Sequence, residues 1–224
     1  MTAVLFDTEA TSLVEPRLIE AAWIKVPDPN TLRPEGSFLQ RYNPGKPISL
    51  GALATHHIMD EDLSDCPPYT EFALPPGTEY LVGYNVDYDW KVIGQPEIRR
   101  ICVLALSRHF FPGLDSYSQS AVLYHVARQQ ARELLKGAHS ADVDVYNCHI
   151  ILSHLIPRMV DSAGPLTWER IWMRSELARI PTVMTFGKHK GATIKDIPAD
   201  YKRWLLGQPE LDPYLVKALR GEAA

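Results

Sequence analysis

A mixed β-sheet flanked by helices, with a small C-terminal module appended, is the fold class that this 224-residue sequence predicts. Three observations carry the prediction. Strand-like apolar segments crowd the first 43 residues. From Tyr80 onward, strand and helix patterns alternate, as they do where helices pack on a sheet. After about Val183 the pattern restarts with a glycine- and lysine-rich turn and a short helix of its own. The expected division is 1–160 for the main domain, 161–182 for a connector and 183–224 for the module.

The elements follow in order. Residues 3–9 read as a buried first strand, because Ala3, Val4, Leu5 and Phe6 form an uninterrupted apolar run. Residues 18–26 and 36–43 give two more strands, separated by the proline-rich turn at 27–30, as in an antiparallel meander. Residues 48–63 read as two short helices interrupted at His56 and His57. The strand at 80–83 runs into a helix beginning near Asn85, a favoured N-cap residue. A helix or short strand is expected over 98–111 and one helix over 116–135. The helix carrying Asp144 is expected to end near Pro157. The connector holds a short helix with Trp168 and Trp172. In the module, 183–191 suggests a strand and glycine turn, and 197–206 a helix with Pro198 near its first position.

Composition narrows the function classes. The net charge of −4 is ordinary for a globular protein and leaves room for a local basic patch that meets nucleic acid. No run of about 18 apolar residues exists, so no membrane span is expected. The chain enters a strand at once, without a signal-peptide pattern. Cys66, Cys102 and Cys148 are scattered, odd in number and without metal-ligand spacing. They read as reduced thiols of a cytoplasmic protein.

Five polar side chains sit where apolar ones belong. Asp7 and Glu9 lie two apart on the first strand, so they share a face, roughly 7 Å apart at about 3.3 Å per residue. Two like charges on one face of a core strand are unfavourable unless a cation lies between them. Helical spacing through Ala141, Asp144, Cys148, Ile151 and Leu155 makes a stripe that is apolar except at Asp144. His139 lies just before that helix and can reach the space in front of Asp144. Asp89 begins the helix after the fourth strand. Asp87, in the same first turn, fits an acid favoured by the helix dipole. Glu20, Trp23 and His56 stand out as secondary positions with no assigned role.

Taken together, these residues resemble the DEDDh family of 3′→5′ exonucleases. Phe6-Asp7-Thr8-Glu9-Ala10-Thr11-Ser12-Leu13 resembles its first motif and Tyr84-Asn85-Val86-Asp87-Tyr88-Asp89 its second, usually H-N-x-x-F-D. His139-Ser140-Ala141-Asp142-Val143-Asp144 fits the third, H-x-A-x-x-D. Tyr84 stands where the family usually has His, Tyr88 where it has Phe, and Ala10 and Ser12 where Thr and Gly are common. None of these changes removes a metal ligand or the histidine. The resemblance covers residues 1–156 and implies a ribonuclease H-like fold. It implies that Asp7, Glu9, Asp89 and Asp144 hold two Mg²⁺ or Mn²⁺ ions and that His139 takes a proton from the attacking water. It also places the backbone near Thr8, together with Leu13, against the terminal nucleotide. Asn85 fits either a substrate-facing loop or an ordinary N-cap.

The tail, at 186–191 and 201–205, resembles the module of a bacterial DNA-degrading branch of the family. That implies DNA 3′ ends as substrate, single- or double-stranded, with 5′-mononucleotide products and a role in repair or recombination. No membrane partner is expected, and a homodimer is left open. The alternatives are an RNA 3′→5′ exonuclease, like RNase T or oligoribonuclease, and a non-catalytic nucleic-acid-binding protein. In the module, Lys188, Lys190, Lys195, Lys202 and Arg203 accompany Phe186, Tyr201 and Trp204. This set suits phosphate contact and base stacking, although core packing is the expected use of Trp204 in so small a unit.

Overall fold

The computed structural model describes residues 2–162 and 164–222. β1 (Thr2–Ala10), β2 (Leu18–Val26) and β3 (Ser37–Arg41) form the meander. α1 (Leu50–His56) and two 3₁₀ turns lead to β4 (Thr78–Gly83), α2 (Val86–Val92) and β5 (Arg99–Cys102). α3 (Val103–Phe110), α4 (Gln119–Val126), α5 (Arg128–Leu134), α6 (Ala141–Met159) and α7 (Trp168–Arg179) follow. The C-terminal module holds α8 (Ala199–Leu206) and α9 (Pro213–Arg220).

The sheet order is β3-β2-β1-β4-β5, with β2 antiparallel to both β1 and β3, and β1, β4 and β5 mutually parallel. β1 is therefore the central strand, and its apolar run is explained by burial on both faces. Strand alternation divides those faces. Ala3 and Leu5 pack into a core with Val145, Cys148 and Leu152 of α6. Val4 and Phe6 pack into a second core with Val86 and Val92 of α2. The two helices thus approach β1 from opposite sides of the sheet. Gly83 ends β4 where a Cβ would lie 3.0 Å from the Phe6 carbonyl, so glycine permits the close approach of the chain to β1 before α2 begins.

Several elements differ from expectation. The 98–111 segment is both things, a strand and then a helix. The single helix expected over 116–135 is two, because Ala127 leaves helical geometry (φ −134°, ψ 44°). No Pro or Gly marks that break. α6 runs through Pro157 to Met159. The connector segment carries α7, whose Trp168 and Ile171 are buried in the α6-side core. The expected strand at 183–191 is reduced to a single bridge between Val183 and Thr193. Pro198 precedes α8 as its cap, whereas Pro213 opens α9 behind the Asp212 cap.

The module has a core of its own, of Met184, Ile194, Ile197, Leu205, Leu215 and Leu219. Trp204 is not in it: the expectation of core packing fails because Leu205, its neighbour on α8, takes the inward position. The module is joined to the main domain through Tyr214, whose hydroxyl donates to Glu176 and accepts from Arg179 of α7. Arg179 also pairs with Asp87 of α2, as does Arg100, so Asp87 has ion-pair partners beyond the helix dipole. No helix of the described residues is long and apolar enough to cross a membrane.

Candidate active site

The five chemistry-bearing residues converge at the C-terminal end of β1, beside the ends of its neighbours. Crevices at the carboxyl ends of strands are where open α/β sheets bind ligands. Asp7 and Glu9 lie on the α6 face of β1, as period-two alternation requires. Asp144, in the first turn of α6, meets them there. One carboxylate oxygen from each of Asp7, Glu9 and Asp144 lies within 4.8 Å of the others.

Asp89 arrives from the other face, on α2, and is outside that closest group. Its Oδ1 accepts from the backbone N–H of Thr8 at 3.0 Å and from the Thr8 hydroxyl at 2.7 Å. Thr8 points to the α2 side because it alternates with Asp7 and Glu9. Both of its donors are engaged by Asp89, so Thr8 orients a carboxylate. His139 sits in a left-handed conformation (φ 69°) ahead of α6, its side chain exposed. Its backbone N–H donates to Asp144 Oδ2 at 3.2 Å.

The electrostatics record the crowding. Burial first, then Asp89, Asp144, Glu9 and Glu20, push the Asp7 carboxyl well above the ordinary range. Burial, then Asp144, Glu20 and Asp89, push Glu9 up to about 8. Asp89 is raised to about 7 by burial, against the lowering effect of its Thr8 hydrogen bonds. Asp144 is raised by burial, while the His139 N–H holds it down. Among the described residues no Lys or Arg pairs with any of the four. Clustered, uncompensated carboxylates with an oxygen-only donor set fit a hard divalent cation.

A cleft of about 490 Å³ opens beside Glu9, lined also by Ala10, Leu13, His56 and Tyr88. Leu13 is 80% exposed at its rim. The Tyr88 hydroxyl donates to the Ser12 carbonyl at 3.1 Å, which ties α2 to the loop carrying Leu13. His56 is buried, with Nδ1 accepting from the Ile58 N–H, and burial favours its neutral imidazole. Asn85 is exposed, and its side chain makes no capping hydrogen bond to α2. Ordinary N-capping therefore does not explain it.

Glu20 is the functional residue that sequence reasoning left without a role. It pairs across the sheet with Glu9, is buried, and reaches the start of α6. Its Oε1 accepts from the Ala141 N–H at 3.1 Å and from the Ser140 hydroxyl at 3.3 Å, and its Oε2 accepts from Arg41 Nε at 2.9 Å. Glu20 is thus an N-cap supplied from another element, satisfying a helix-end donor that Ser140 leaves open. The signal was present: an acid inside the apolar run at 18–22, the same oddity that marks Asp7. Glu20→Gln is expected to destabilise the protein by about 1–3 kcal/mol, the range for a disrupted buried hydrogen bond. It relieves some repulsion on Glu9, but the lost charge-assisted cap outweighs that. Urea unfolding measures the loss, and kinetics should show kcat falling more than KM rises, because the turn bearing Asp144 loosens.

No protein-family model matches the chain. The nuclease domain of 3′hExo, a DEDDh family member bound to rAMP, superposes with a TM-score of 0.53 at 13% identity, over 70% of this chain and 92% of that one. Fold and acid group define the class: a hydrolase of phosphodiester bonds with the ribonuclease H-like fold of the DEDDh exonucleases. Within that class the chain is similar to exodeoxyribonuclease 10 of Escherichia coli strain K12, with 28% identity over 212 residues, 90% of this chain and 89% of that protein. A structure of exonuclease X in complex with 5′-overhanging duplex DNA superposes with a TM-score of 0.60 at 26% identity, covering 77% of this chain and 99% of that one.

Proposed function

We propose that the protein is a 3′→5′ exodeoxyribonuclease that removes nucleoside 5′-monophosphates from DNA ends, in cytoplasmic DNA repair or recombination. The observation that carries this reading is the convergence of Asp7, Glu9 and Asp144 oxygens, with Asp89 approaching from the other face and Glu9 lining a cleft. Two Mg²⁺ or Mn²⁺ ions held by the four carboxylates would activate water and stabilise the leaving 3′ oxygen. The chain's own groups do the rest. The exposed His139 imidazole, next to Asp144, accepts a proton from the attacking water as general base. Thr8 fixes the rotamer of Asp89. Leu13 lies against the terminal base, and the exposed Asn85 faces the strand entering the cleft.

DNA as the substrate draws support from the likeness to exodeoxyribonuclease 10, which extends over most of both chains. The test is digestion of 5′-end-labelled single-stranded DNA, duplex DNA and RNA of one sequence with Mg²⁺ or Mn²⁺. The expected result is a ladder of labelled products shortening from the 3′ end, with mononucleotide 5′-phosphates released and both DNAs degraded faster than RNA. Immediate release of the labelled end would overturn the polarity. Faster loss of RNA would overturn the substrate.

A further inference from the structure

The C-terminal module fills its core with aliphatic side chains, packs Tyr201 against the edge of that core and leaves Trp204 and Phe186 exposed. Trp204 is 55% exposed and Phe186 44% exposed. Tyr201, half-buried, lies 5.3 Å from Trp204 between ring centroids, at an interplanar angle of 38°. His189 packs edge-on against Tyr201 at 4.5 Å. The turn that carries these residues is pressed onto the ring: a Cβ at Gly187 (φ 71°) would lie 2.7 Å from the Tyr201 hydroxyl. Between Lys188, His189, Tyr201 and Trp204 is a cavity of about 220 Å³. Asp200, the acid on its rim, accepts the Tyr201 backbone N–H.

The charge of the module runs against that of the whole chain. Residues 183–224 hold seven Lys and Arg against five Asp and Glu, while the chain as a whole is at −4. Lys188, Lys190 and Arg203 are exposed and, among the described residues, in no ion pair. The contacts of Tyr214 with α7 come from α9, so the face formed by 186–190 and α8 is clear of them. An exposed indole costs solvation and contributes nothing to this core. Unpaired cations around exposed rings match a polyanion that also presents flat apolar faces.

We propose that this face is a binding platform for single-stranded DNA. An unpaired base stacks on Trp204 and Tyr201, and Lys188, Lys190 and Arg203 meet the flanking phosphates. A paired base has no face to offer, so duplex is held less well. Because Tyr214 and Arg179 fix the module to the main domain, the platform retains the strand at a set distance from the acids and contributes to binding, not to the hydrolytic step. The proposal rests on the reading of DNA as substrate.

The test is fluorescence anisotropy of a labelled oligo-dT with the full chain in EDTA, where hydrolysis does not interfere. Trp204→Ala should weaken binding by about tenfold, the order of one lost stacking contact. Trp204→Phe should restore most of it. The Lys188→Ala, Lys190→Ala double variant should weaken binding and flatten its salt dependence. Unchanged oligo-dT affinity in a folded Trp204→Ala protein overturns the platform, as does a Phe variant no better than Ala. Tighter ring-dependent binding of oligo-rU overturns DNA as the occupant. The two readings fail separately. Ring-dependent binding by a protein with no exonuclease activity would leave the platform and remove the enzyme. Exonuclease activity with ring-independent binding would do the reverse.

Discussion

Asp7→Ala is expected to lower phosphodiester hydrolysis by about a thousandfold or more, since charge stabilisation by a bound cation is worth several kcal/mol and each 1.36 kcal/mol is tenfold. Asp7 is the member of the site that all the others address. It shares the close oxygen group with Glu9 and Asp144, and Asp89 is the largest source of repulsion on it after burial itself. The fold should survive the change. The backbone of Asp7 is held by its partners on β2, and its side chain has no counter-cation to leave unpaired. Removing one of several crowded acids takes away a buried carboxyl that must either keep a proton or repel the others, so the metal-free variant should melt no earlier than the parent protein. Asp142→Ala is the matched control. Asp142 is an acid in the same first turn of α6, but it is exposed and, among the described residues, accepts only from the Ser140 hydroxyl, so activity should be unchanged. Steady-state rates and circular dichroism of the two variants decide the matter. Activity retained in folded Asp7→Ala would remove Asp7 from the chemistry.

The carboxylate site was legible because its members break local patterns. An acid on a strand face or a helix stripe that is otherwise apolar needs a partner, and that rule picks out Asp7, Glu9 and Asp144 without reference to tertiary structure. What the pattern does not provide is the side of approach. Alternation along β1 puts Thr8 opposite Asp7 and Glu9, but only the packing of α2 on that side brings Asp89 to Thr8 and leaves it outside the close group. Glu20 shows the same limit. Its burial was foreseeable, whereas its bond to Ala141 spans 121 residues and exists because α6 crosses β2. Trp204 shows a different one. On a short helix packed along one narrow stripe, which of the neighbours Trp204 and Leu205 turns inward depends on the residues already filling that core. Four of those, Met184, Ile194, Leu215 and Leu219, come from outside the predicted helix, and α9 was not foreseen at all.

In the absence of divalent cation, the protein is expected to lose stability as pH rises from about 5 to about 8. In the unfolded chain these carboxyls titrate near 4. In the folded protein Glu9 is pushed up to about 8 and Asp89 to about 7, and Asp7 and Asp144 move the same way. Over that window the folded state keeps protons that the unfolded state has given up. Stability falls with pH wherever the folded state binds more protons, by about 1.4 kcal/mol per pH unit for each extra proton held. In a protein of this size each kcal/mol moves Tm by about 2–4 °C. A bound cation replaces those protons, so its apparent affinity rises with pH and the melting curves with and without it diverge toward alkaline pH. Thermal melts in EDTA, repeated with saturating Mg²⁺ or Mn²⁺, measure both slopes. Glu9→Gln should flatten the metal-free slope. A metal-free protein whose Tm is level or rises across this range would show that the four acids do not confront one another in the fold, and the cation-binding reading of the site would go with them.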